Sequence, residues 1–223
     1  MIVKKRNQYD ELVKKRKEFR FNDLKNPNDI ENGAYDTDDA INPWSLWQGN
    51  LDADILVIGQ DWGDENYFIQ NKGRDTDDNP TNKNLKELFH SIDIDLGTPT
   101  KPDTSASVFL TNAILGIKPG GMSAKVKASW VNESTEEFLK PLIEIIEPQI
   151  IIALGVQAYK AVKKTYKLKQ KATLKDLSKL NPIIIGDKKL FAFYHCGRLG
   201  TANRNLDNQK ADWSKILKNF RHV

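Results

Sequence analysis

Five short apolar runs, rich in Ile, Val and Phe and nearly unbroken, constrain this chain more than any other feature. They cover residues 55–58, 108–110, 150–154, 182–185 and 190–194, each bounded by turn-forming residues. A strand that alternates apolar and polar residues faces water on one side, whereas a strand without alternation is buried on both. Such strands belong in a parallel sheet covered by helices on each face. Segments 82–92, 135–146, 156–166 and 207–220 have the patterning to supply those helices. Glu136 and Glu137 at the start of the second suit the positive end of a helix dipole. The last two runs flank Gly186-Asp187 and can form a hairpin. The expected fold is α/β: a three-layer αβα domain with a central, mainly parallel sheet of four or five strands.

Ahead of the first run, Tyr9, Leu12, Val13 and Phe19 recur among charges, the spacing of an amphipathic helix over 9–19. Residues 21–43 are rich in Asn, Asp and Pro and read as an extended connection. The expected organisation is a basic helix with a polar connection over 1–43 and one α/β domain over 44–223. The net charge of +4 hides an uneven distribution. Lys and Arg crowd residues 1–25, only acids occupy 26–40, and lysines between 160 and 179 face Asp176 as the sole acid. Basic stretches of this kind either neutralise phosphates, with salt-sensitive affinity for nucleic acid, or form solvated helix faces.

Cys196 is the single cysteine and cannot form an internal disulfide. With histidines only at 90, 195 and 222, no cluster has metal-ligand spacing, so no metal or other cofactor is expected. No apolar run approaches the roughly 20 residues of a membrane span. Met1-Ile2-Val3 passes straight into Lys4-Lys5-Arg6 without the apolar stretch of a secretory signal. These features predict an intracellular, cytoplasmic, monomeric protein with no membrane partner.

In open α/β sheets, chemistry gathers beyond the carboxyl ends of the strands. Those ends here deliver Gly59-Gln60-Asp61-Trp62-Gly63, Thr111-Asn112-Ala113, Gly155-Val156-Gln157 and His195-Cys196-Gly197-Arg198-Leu199. A carboxylate, an amide and an imidazole thus arrive on one rim from separate strands. Each has a plainer role open to it: Asp61 as a helix cap or turn residue, Asn112 as a loop bridge, His195 as a structural hydrogen-bonding group, Leu199 as a core residue. No GxSxG elbow, phosphate-loop lysine motif or GxGxxG fingerprint is present, which disfavours a hydrolase or nucleotide-binding protein of those kinds.

The rim segments resemble, in order, the motifs of uracil-DNA glycosylases. ILVIGQDWG is similar to the water-activating segment written GQDPY in the best-known family, and VFLTNAILG to the LLNAVLT segment that carries a base-reading asparagine. IIALGVQAYK resembles the strand and helix that follow, and FYHCGRL the HPSPL motif, with His195 and Leu199 at the matching places. The resemblance implies a cofactor-free enzyme that acts on DNA and hydrolyses the N-glycosidic bond of uracil or a related damaged base. Asp61 would hold a water under C1′ and stabilise an oxocarbenium-like sugar, while a neutral His195 donates to O2 of the departing pyrimidine. Asn112 would read N3–H and O4 of uracil, a pattern that cytosine reverses. Backbone N–H groups around Gln60 and Asp61 would complete the cradle for the leaving anion. Leu199 would fill the space vacated by the flipped nucleotide, and Arg198 and Arg204 would contact phosphates.

Departures from the best-known family concern the pocket wall and the loop after the histidine. Trp62 stands where that family has proline, and Gly63 where it has the tyrosine that excludes thymine's methyl group. Gly63 is therefore expected to leave space beside C5 of a bound pyrimidine and to widen the substrate range, unless the Trp62 indole fills it. Cys196-Gly197-Arg198 replaces Pro-Ser-Pro and removes stiffness from the DNA-pinching loop. The stacking aromatic is assigned to Phe68, with Tyr67 behind it. A superfamily member that binds DNA or damaged bases without turnover is the alternative these departures leave open.

Overall fold

The computed structural model describes residues 2–42, 46–122 and 124–220. Pro43 and Trp44, where the connection is expected to meet the domain, lie outside the described residues, as does His222. Helix α1 (Ile2–Glu18) is followed by 3-10 turns at Pro27–Gly33 and Leu46–Gln48, then β1 (Ile55–Gly59), α2 (Glu65–Gln70) and α3 (Pro80–His90). A small ribbon of β2 (Gly97–Thr98) and β3 (Lys101–Pro102) leads to β4 (Val108–Asn112). Next come α4 (Ala128–Ser134), a π-helical turn at Thr135–Leu139, α5 (Lys140–Ile146), β5 (Ile150–Leu154) and α6 (Val156–Thr165). The chain closes with α7 (Leu174–Leu177), β6 (Ile183–Ile185), β7 (Lys188–Phe193), α8 (Arg198–Asn203) and α9 (Leu206–Phe220).

The central sheet has five strands in the order β4-β1-β5-β7-β6. All neighbours are parallel except β6, which pairs antiparallel with β7. Strand residues alternate between two cores. Leu56, Ile58, Phe109 and Ile151 share one with Leu12 of α1, Leu142 of α5 and Ala158 of α6. Ile55, Val57, Ile152 and Phe193 share the other with Leu88 and Phe89 of α3 and Trp213 of α9. Burying one such side chain is worth roughly 1.5–3 kcal/mol, so both faces hold the sheet and the strands need no polar side. The three-layer αβα architecture expected from the apolar runs is the one observed. Among the described residues, no helix is long and apolar enough to cross a membrane.

Residues 2–42 belong to the same packing. Tyr9, Val13, Leu24 and Ile41 enter the first core. Arg16 is fully buried, paired with Asp36 at 2.6 Å and donating to the Ala40 carbonyl. Asn42 donates to the Leu110 carbonyl on β4 and accepts from the Thr111 hydroxyl. The connection expected to be extended is thus folded down, because Leu24, Ile30 and Ile41 are apolar anchors spaced through its polar sequence. On α1, Lys5, Arg6, Lys15 and Lys17 pair with Asp52, Asp10, Glu137 and Asp38. Much of the first basic stretch is therefore neutralised within the protein.

Candidate active site

Parallel register sets the carboxyl ends of β1 and β4 side by side, with Gly59 opposite Asn112. The Asn112 side chain lies across Gly59, where an added Cβ would come within 2.2 Å of the amide. Only glycine lets the amide lie there. Its orientation is assigned from its neighbours: Oδ1 accepts from the Trp62 indole N–H at 3.2 Å, and Nδ2 donates to the Thr111 carbonyl at 3.2 Å. An amide has two acceptor and two donor positions, and these contacts use one of each.

Asp61 stands just beyond the end of β1. Its Oδ1 accepts from the Gly63 N–H at 2.9 Å, and its Oδ2 from Gln60 Nε2 at 2.9 Å and Lys118 Nζ at 3.2 Å. Gln60 thus holds the carboxylate with its side chain. The ion pair is nearly dry, with the Lys118 side chain 2% and that of Asp61 8% exposed. Lys118 lies on the loop after β4, whose backbone bridges to Asp64, and its ammonium also donates to the Met122 carbonyl at 2.7 Å. Sequence reasoning missed this residue. Beside Pro119-Gly120-Gly121 it reads as an ordinary turn lysine, and its burial exists only once the β1 and β4 loops meet.

His195 reaches the rim from β7. Its Nδ1 accepts the Gly197 N–H at 2.9 Å, so in the neutral ring the proton sits on Nε2. Burial pushes the imidazole pKa below its ordinary value, while the charge of Asp61 pulls it the other way. The two groups therefore share one electrostatic environment, and the imidazole is a neutral hydrogen-bond donor at neutral pH. Helix α3 braces the loop: Asn84 donates to the Cys196 carbonyl at 2.7 Å, and the Cys196 thiol contacts the Thr81 carbonyl at 3.4 Å. Burial pushes that thiol up to about 12, which leaves it an unreactive packing group. Packing against α3 takes over part of the stiffening that the missing prolines would supply.

The remaining candidate residues fall less neatly. Trp62 is buried with Ile30, Phe68 and Ile117. Phe68 has no accessible surface and packs edge-on to Tyr35 at 6.4 Å, so no base can stack on it without displacing its neighbours. Tyr67 is half-buried instead, its hydroxyl accepting from Asn79 at 2.7 Å. The space expected beside Gly63 is occupied: a Cβ there would lie 2.7 Å from Met122 Sδ and 3.3 Å from the Tyr67 ring. Gly63 has φ of +94°, and that left-handed conformation, not an open wall, accounts for the glycine. Leu199 is 78% exposed near the start of α8, and Arg198 beside it is exposed too. Arg204 is not available in the same way. Its guanidinium grips Asp212 of α9 through both carboxylate oxygens, clamping the end of α8. Among the described residues, no group of three His, Cys, Asp or Glu is placed to hold a metal ion.

The carboxyl edge of the parallel sheet thus carries a nearly dry carboxylate, an oriented amide and a neutral imidazole. Residues 46–221 match the family model of the Uracil DNA glycosylase superfamily, and the chain belongs to that superfamily. No curated protein matches it.

Proposed function

We propose that the protein is a DNA glycosylase that hydrolyses the N-glycosidic bond of uracil or a related base in DNA. The observation that carries this reading is the conjunction of Asp61 with a neutral, Nε2-protonated His195 that feels its charge. As the bond from C1′ to the base lengthens, positive charge grows on the sugar and negative charge on the base. Asp61 faces the first charge and orients the water; His195 donates to O2 and bears the second. Water adds to C1′ and releases a proton as the base departs with the bonding pair. Both partners are preorganised, so little reorganisation is needed at the transition state.

Asn112 reads the base. Its second acceptor position takes N3–H and its second donor serves O4, whereas cytosine offers an acceptor and a donor in the opposite places. The Trp62 indole supports this discrimination by holding the amide in one orientation. Met122 and Tyr67 form the wall beside C5, the part that glycine alone would leave open. Leu199 enters the stack behind the flipped nucleotide, and Arg198 meets a phosphate.

The test is incubation at enzyme excess with oligonucleotides bearing uracil, hydroxymethyluracil, thymine opposite guanine, hypoxanthine or ethenocytosine, followed by detection of abasic sites. Uracil is expected to be cleaved fastest. Met122→Ala should raise the rate ratio of hydroxymethyluracil to uracil by about tenfold, the usual scale for relieving one steric contact. No abasic site from any base would overturn the enzymatic reading. It would install a DNA-binding protein without turnover, which the Lys118 ammonium favours by offsetting the charge of Asp61.

A further inference from the structure

We infer that Lys118 is a positioning residue for the reaction: a buried strut that keeps Asp61 a fixed anion and ties it to the loop carrying Met122. The inference rests on the glycosylase reading for its consequence in catalysis, and on geometry alone for its electrostatic part. Lys118 Nζ lies 3.2 Å from Asp61 Oδ2 and 2.7 Å from the Met122 carbonyl. Nothing about its sequence neighbourhood demands burial, and burying an ammonium is costly unless it is paired. The fold meets that cost at the one carboxylate on the rim that the chemistry uses.

A carboxylate in a water-poor pocket, left to itself, takes up a proton and ceases to stabilise a cationic sugar. An ammonium at hydrogen-bonding distance holds it ionised. The same ammonium partly offsets the field of Asp61 at the sugar, so its contribution is to preserve the charge rather than to strengthen it. Among the described residues, Lys118 of the β4 loop pairs with Asp61, and His195 of the β7 loop feels its charge. Burial keeps His195 neutral, so of these two groups Lys118 carries the positive charge.

This separates Lys118 from a residue that merely supports the fold. Loss of a structural brace lowers cleavage at every pH. Loss of a charge-keeping partner lowers it at acid pH and restores it at alkaline pH, once Asp61 ionises unaided. In Lys118→Met, the acid limb of single-turnover uracil cleavage should move up by about one pH unit or more, the usual effect of removing an opposite charge at this range. Above that limb the rate should return to within about tenfold of the native protein. Lys118→Arg should restore the native limb.

The independent arm is carbon-13 NMR of the Asp61 carboxyl, assigned through Asp61→Asn, titrated in the native protein and both variants. Its midpoint should rise in Lys118→Met and return in Lys118→Arg. Should Lys118→Met fail to fold, Lys118→Gln keeps a donor for the Met122 carbonyl while removing the charge, and the same rise is expected. An unmoved Asp61 midpoint in a folded neutral variant overturns the inference, whatever the enzyme does. A native protein that cleaves no base overturns the glycosylase reading instead, and leaves the titration to decide the strut.

Discussion

On the β1–β4 side of the rim, Asp61 is gripped by Gly63, Gln60 and Lys118, and Asn112 is pinned between Trp62 and Thr111. On the β7–α8 side, the residues after His195 run into a helix of six residues, with Arg198 and Leu199 standing out in solvent. The first side is a floor whose groups are each held by two or more partners. The second is a lip that presents the Arg198 and Leu199 side chains to solvent. In the proposed function, the chemistry that must stabilise charge in a defined place falls to the floor, and the contacts that open a duplex fall to the lip.

The comparison breaks most easily at the catalytic pair. Asp61→Asn and His195→Ala should each lower single-turnover cleavage by about two to four orders of magnitude, with binding to an abasic-site analogue retained. Comparable cleavage in either variant would show that the floor does not do the chemistry. The lip is tested by Leu199→Ala, which should slow cleavage of a paired target about tenfold more than the same target in a single strand. Equal losses on both substrates would remove its wedge role.

The two arginines sharpen the contrast further. Arg198→Glu should flatten the salt dependence of DNA affinity by about one unit of log–log slope while leaving thermal stability intact. Arg204→Ala should do the opposite, leaving the slope nearly unchanged and costing about 1–3 kcal/mol, because the buried Asp212 carboxylate loses both guanidinium hydrogen bonds and keeps only Lys215, at 3.7 Å, among the described cations. Identical salt slopes in Arg198→Glu and the native protein would place the DNA elsewhere.

The smallest expected effect concerns Asp75, a carboxyl near Tyr67 that accepts a hydrogen bond from Asn82. Burial raises its pKa from 3.8 to about 6. The folded state then binds more protons than the unfolded chain, so stability falls as pH rises from about 4 through 6 and the penalty is complete above that. Asp75→Asn should therefore raise stability by about 1–2 kcal/mol at pH 7.5 and have no such effect at pH 4. Equal gains at both pH values would show that the charge of Asp75 is not the cause.

The sheet was legible because burial on both faces writes itself into unbroken runs such as Ile150–Leu154, and the hairpin because Gly186-Asp187 separates two of them. Asn79-Pro80 marks the true start of α3 with a cap and a proline at its first turn, a signal that an apolar-periodicity reading from residue 82 passes over. The helix expected at 135 begins earlier, at Ala128, where Trp130 and Val131 supply the buried face. Asp61, Asn112 and His195 were readable as strand-end residues on a common rim. Lys118, Met122 and the Trp62–Asn112 hydrogen bond were not, since each depends on two loops far apart in sequence being folded against each other. Arg198 and Arg204 look alike as letters, and only the position of Asp212 on α9 tells them apart.

The docking of α1 has a consequence for the order in which the molecule is assembled. Lys5 donates to the carbonyl of Ile146, a partner 141 positions later in the chain. Synthesis delivers α1 well before the strands and helix it packs against, so its apolar face must wait, uncovered, until α5 and the sheet have emerged. Contacts of such long sequence separation form late and slow the search for the native state. The charged residues that surround Tyr9, Leu12 and Val13 then serve the nascent chain as much as the finished protein, keeping an unpartnered helix soluble until its place exists.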